Sequence, residues 1–131
     1  MTLLEVVMAV LIIAIVSVAM LRALTLSAQC GYHASLGSSA LYRCQEKMEE
    51  ILDDQFLLIE PERYPPEQGL VLDTRGTTNQ VDDVYFDRKV EITDESTEDQ
   101  FIKRVSVTVT WQVAGLQDTR QLKTLVAREG R

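Results

Sequence analysis

The side chains in this chain that could do chemistry fall into three small groups: two cysteines, one histidine among serines, and clustered carboxylates. Cys30 and Cys44 are the only thiols. On one continuous helix they would stand about 21 Å apart, while a disulfide needs Cα atoms within about 7 Å. They cannot bond to each other unless the helix breaks near Gly31–Gly37, and they are too distant to share a metal. Both fall on an apolar helical stripe, which reads them as two buried small hydrophobes. A bond between subunits is the alternative. His33 has Ser35 close in sequence, but no nucleophile elbow surrounds that serine, and an exposed position on a helix is expected. Asp94, Glu95, Glu98 and Asp99 crowd one short connection, and hard cations favour clustered carboxylates. Their spacing lacks the central Gly of a calcium loop, so a solvated acidic turn is the reading and calcium the alternative. Glu46, Glu49, Glu50, Asp53 and Asp54 read as the wet face of a helix, which could also meet a basic neighbour. There is no glycine-rich phosphate loop, no CxxC and no HExxH. The expectation is no enzyme, no catalytic residues, no metal site and no cofactor.

The remaining candidate is Glu5. It sits at the head of VVMAVLIIAIVSVAML (6–21), an apolar run whose one polar residue is Ser17. As a helix that run spans about 24 Å, and with its apolar flanks about 39 Å, more than the hydrocarbon thickness of a bilayer. It is apolar all round, so it belongs in lipid or in a protein core. A carboxylate there costs roughly 2.5–3.5 kcal/mol and marks a functional candidate. Its natural partner is the α-amino group of Met1, in its own chain or a neighbour's; the alternative is that Glu5 lies at the interface and snorkels. A cleavable signal peptide would begin with a basic stretch, and the first charge here is acidic.

The 131 residues divide unevenly. Residues 1–30 hold only Glu5 and Arg22, which cancel, so the net charge of −7 belongs to the rest. Both parts have enough apolar residues to bury, which excludes disorder. An acidic domain repels phosphate, so direct nucleic-acid binding is not expected. About 100 residues beyond the greasy end leave little room for a deep cleft.

MTLLEVVMAVLIIAIVSVAMLRAL resembles the N-terminus of type IV pilins and the pseudopilins of type II secretion. Met1, Thr2, Leu3, Leu4 and Glu5 match that pattern position by position, and the first residues look most like the V-type minor pilin and the I-type minor pseudopilin. FIKRVSVTVTW and LKTLVAR (101–111 and 122–128) are similar to the same group's C-terminal part. The resemblance is strongest over 1–26, weaker over 40–58 and 84–128, and absent over 60–80. It implies a short basic leader removed by a prepilin peptidase, so that this is the mature form, with an N-methylated amine on Met1. It also implies that Glu5 pairs with the amine of an adjacent subunit. Val6, Leu11, Ile12, Ile13, Ile15, Val16 and Leu21 would form the membrane segment and then the filament core. Other partners implied are homologous subunits, the peptidase and methylase, an assembly platform and a separate ATPase motor. The localisation implied is the bacterial inner membrane, single pass, with a periplasmic domain, then a periplasmic or extracellular filament.

The fold expected is α+β and pilin-like: a long N-terminal helix, hydrophobic in its first half, packed on a small antiparallel sheet. Residues 1–26 form the membrane or filament-core half, and 27–131 the soluble domain with the amphipathic half of the helix. Cys30, Ala34, Gly37, Leu41, Cys44, Met48 and Ile51 repeat in steps of three and four, so the helix should continue to about Leu58. Arg43, Gln45, Glu46, Lys47, Glu49 and Glu50 are placed on its other faces. Gly31, Gly37 and the serines between 35 and 39 predict a bend or melted turn. Pro61, Pro65 and Pro66 open a loop. Val84, Phe86, Val90 and Ile92 share one parity, with Arg88 the exception. Val105, Val107, Val109, Trp111 and Val113 alternate with polar residues as the clearest strand. Gly69–Thr74 and Gln121–Ala127 are weaker strands, with connections at Asp94–Gln100 and Ala114–Thr119. The function expected is a structural filament subunit; the alternative is a bitopic membrane protein that binds a partner outside and never polymerises.

Overall fold

A computed structural model describes residues 2–76, 78, 83–97 and 100–129, with Glu129 by its backbone only. The class is α+β: one long N-terminal helix and a four-stranded antiparallel sheet. The chain forms two compact units, Met1–Ser35 and Leu36–Arg131, and the helix α1 (Leu3–Asp53) contributes to both.

The first unit is helix alone. Its apolar side chains are exposed on every side. Two hydroxyls within its apolar part bond to their own helix: Ser17 Oγ donates to the Ile13 carbonyl (2.8 Å) and Thr25 Oγ1 to that of Arg22 (2.9 Å). That is what a helix in lipid requires, since no water is there to take the bond. The expected melted turn is not present. Gly31 and Gly37 are both helical.

In the second unit, residues 36–53 of α1 lie over a meander of β1 (Glu67–Asp73), β2 (Val84–Asp94), β3 (Gln100–Val113) and β4 (Leu116–Glu129), in that spatial order. The helix supplies Leu36, Ala40, Cys44, Met48 and Ile51 to the core, and the sheet supplies Phe86, Val90, Val105, Val107, Val109 and Trp111. The period of the stripe is right, and Gly37, Cys44, Met48 and Ile51 are buried as expected. Three members are not: Cys30, Ala34 and Leu41 are exposed, and Leu36, Ala40 and Lys47 are buried in their place. The true stripe starts at Leu36, where the second unit starts.

The helix ends at Asp53, five residues short of the expected Leu58. Its last turn has no basic residue and several acidic ones, which opposes the negative end of the helix dipole. Gln55 turns extended (φ −63°, ψ 140°), and two 3-10 turns follow, Phe56–Leu58 and Pro61–Arg63. Lys103 Nζ holds the first of these turns to β3, donating to the carbonyls of Phe56 (3.2 Å) and Ile59 (2.8 Å).

The last hairpin is tighter than expected. Val113 pairs with Leu116, so the turn is only Ala114-Gly115, both with positive φ (51° and 81°), and Leu116–Thr119 is strand. That two-residue turn matches the twist of the strands it joins. On the sheet's outer face Ser106 is buried even though its neighbours are polar, because Gln121 Nε2 reaches over to its Oγ (2.8 Å).

Candidate functional site: the head of the helix and its exposed apolar run

Thr2 precedes α1, and Glu5 lies in its first turn. The Glu5 N–H donates to the Thr2 carbonyl (3.0 Å) and more weakly to its Oγ1 (3.4 Å). Thr2-Leu3-Leu4-Glu5 therefore has the spacing and half the bonding of a capping box, in which an N-cap hydroxyl and an acidic residue three positions on satisfy the first free N–H groups. A carboxylate in the first turn is also favoured by the dipole. So Glu5 has a local reason for its place, quite apart from any partner. Met1, with the amine expected to pair with Glu5 and to be methylated, lies outside the described residues.

Beyond the cap, Val6, Leu11, Ile12, Ile13, Ile15, Val16 and Leu21 are all exposed. This is one helix long and apolar enough to cross a membrane, with none of its most apolar stretch buried inside the protein. A surface of that extent is not stable in water and must be covered by lipid or by other helices.

The other sequence candidates are dispersed. His33 is exposed and stands edge-on to Tyr32. Cys30 is an exposed free thiol, not the buried hydrophobe expected, because no sheet underlies it in the first unit. Cys44 is free and buried; burial raises its thiol pKa, and its Sγ contacts the Arg120 carbonyl at 3.7 Å. It is an inert core residue. Asp94 accepts the Ser96 N–H, and Glu95 pairs with Arg104 at 2.9 Å. Glu98 and Asp99 lie outside the described residues, and among those described no acidic, His or Cys group is arranged to hold a metal.

What sequence reading missed is a polar knot between α1, β1 and β2. Lys47, expected on a wet face, is buried, because Glu67 comes to it from β1. Its ammonium contacts Glu50 (2.8 Å) and Glu67 (3.3 Å). Arg88 binds the other oxygen of Glu67 through Nε (2.8 Å) and Nη2, and also donates to the Arg43 carbonyl (3.3 Å). Burial raises the Glu67 pKa, but Arg88 and Lys47 together outweigh it and hold the carboxyl below its ordinary value. Nearby, the Tyr64 hydroxyl donates to Asp54, which Arg63 also contacts (3.2 Å). Burial, helped by Asp54, pushes the Tyr64 phenol up to about 12. One signal for the knot was in the sequence: Arg88 as the charged exception in an apolar parity. Every buried polar side-chain atom among the described residues has a partner, so the knot ties α1, β1 and β2 together with no unpaired buried group.

No family model, no curated protein and no solved structure matches this chain. Its architecture is pilin-like: a long apolar N-terminal helix whose later part packs on a small antiparallel sheet.

Proposed function

We propose that this chain is a structural subunit of a type IV pilus-like filament, a minor pilin or minor pseudopilin, stored in the inner membrane and then drawn into a helical fibre. One observation carries the reading: a sixteen-residue helical run, apolar but for Ser17 and exposed all round, follows directly on Thr2-Leu3-Leu4-Glu5, and the same helix leads into a sheet domain. Moving such a helix from lipid into a bundle brings little hydrophobic gain, so packing and polar pairs must carry the selectivity. Glu5 and the amine of a neighbour's Met1 are each costly to bury alone, so a subunit that satisfies both is preferred. Homologous subunits, a peptidase and methylase, an assembly platform and a separate ATPase are the partners this reading requires. Its domain would face the periplasm.

The Thr2–Glu5 bond favours a second reading, in which Glu5 only caps its own helix and the chain is a bitopic membrane protein that never polymerises. Glu5→Gln separates the two. Gln completes a capping box as well as Glu does but carries no charge. The experiment is crosslinking in cells through a single cysteine at Val16, with Cys30→Ser and Cys44→Ala. The filament reading expects crosslinked species with Glu5 and at least a tenfold loss with Glu5→Gln. Equal crosslinking in both, or none in either, rejects it.

A further inference from the structure

β4 is an edge strand of 14 residues with β3 as its one neighbour in the sheet, so alternate N–H and C=O groups face outward. Its two halves differ. At Thr119 the outward groups are closed off: its N–H donates to Asp118 Oδ1 (2.8 Å), and its carbonyl accepts from Arg120 Nη1 (3.0 Å). Asp118 and Arg120 are themselves paired at 3.3 Å. That places the outward groups at odd positions, and from Gln121 onward no backbone bond beyond the β3 ladder closes them among the described residues. The opposite edge is managed differently. β1 is short, its register slips twice, and Gly69 (φ +66°) gives its N–H to Asp87 Oδ1. Among the described residues, only 121–129 is a long regular edge left open.

We propose that this segment pairs, antiparallel, with the same segment of a second copy of this chain, with Leu125 opposite Leu125 of the copy. Three features select a second copy. First, in this register all the outward backbone groups of 121–129 find partners, and the closed Thr119 lies outside the contact. Second, the charges are compatible: Lys123 falls opposite Ala127 and Arg128 opposite Leu122. Centring on Lys123 would oppose two lysines, and centring on Thr124 would oppose Arg120 to Arg128; like charges directly opposite are destabilising. Third, Leu125 is 59% exposed and gains an apolar cross-strand partner. An isologous contact closes at two copies, so this pairing does not propagate a fibre. It rests on the sheet edge and not on the filament reading.

The test uses the full chain in membranes, with Cys30→Ser and Cys44→Ala, under mild oxidation. Leu125→Cys should give a disulfide-linked dimer as the main species. Lys123→Cys alone should give less than a tenth as much, and co-expressed Lys123→Cys and Ala127→Cys chains should crosslink to each other. Leu125→Pro in that co-expressed pair removes an outward N–H while leaving the β3 ladder intact, so circular dichroism should be unchanged and crosslinking should fall at least tenfold. Glu5→Gln should leave the Leu125→Cys dimer unaltered. A monomer with Leu125→Cys overturns the proposal. So does a dimer equally strong with Tyr85→Cys, on the outer face away from the edge, since that would be collision and not pairing.

Discussion

At the scale of single residues, the second unit is pinned by one carboxylate shared between two cations. Glu67 accepts from Arg88 with one oxygen and faces Lys47 with the other, so it ties β1 to both β2 and α1. Its pKa is lowered in the folded protein, and the sign of the pH effect follows. The stability it contributes is complete above the ordinary value of 4.5 and is lost as pH falls through the lower folded value. Urea unfolding followed by Trp111 fluorescence should therefore show stability falling below about pH 4.5. Glu67→Gln should lower stability at pH 7 by about 1–3 kcal/mol, because Lys47 and Arg88 keep only part of their bonding. It should also flatten the acid limb of the profile. An unchanged acid limb would mean that another carboxylate carries the acid sensitivity. Arg88 was visible in the sequence as a break in parity. Lys47 was not, because a lysine on a helix is buried only when a distant carboxylate arrives, and Glu67 lies in 60–80, where no pattern marked it.

At the scale of elements, periodicity located what it physically encodes. The step of two found β3 and most of β2, since one face of each is buried and the other is polar. The step of three and four found the helix and its buried side from Gly37 to Ile51. It could not see where burial begins, because an apolar helix in lipid and an apolar stripe on a sheet continue one another without a change of period. That is why Cys30 was placed in the core. The element ends were less legible, being set by local charge and backbone conformation and not by period. Ala114 is the clearest case: an alanine with φ +51° in a two-residue turn is strained, and Asn is among the residues that adopt that conformation most readily. Ala114→Asn should raise stability by about 0.5–1 kcal/mol and the melting temperature by about 3–6 °C. Gly115→Ala, at φ +81°, should lower both. Identical melting curves for all three proteins would show that the hairpin turns by another route in solution.

At the scale of the whole molecule, charge and packing draw two different lines. The charge split after residue 30 separates what tolerates lipid from what needs water, whereas the compact units meet at Ser35–Leu36, where side chains first find a sheet to cover. The residues between, 31–35, belong to neither by composition and hold the exposed His33, with the exposed Cys30 just before them. This division makes the two halves separable by mutation. Arg at the centre of a membrane helix costs about 2.5–3.5 kcal/mol of insertion, so Ile13→Arg should shift the chain from the membrane pellet to the supernatant on alkaline extraction. The core of the second unit contains nothing from residues 1–35, so its near-ultraviolet signal from Trp111 and its urea midpoint in detergent should stay where they are. Loss of both membrane retention and the Trp111 signal would show that the apolar helix is needed to fold the sheet domain. Retention of Ile13→Arg in the membrane would mean that something other than this helix anchors the chain, and the filament reading would lose the surface it depends on.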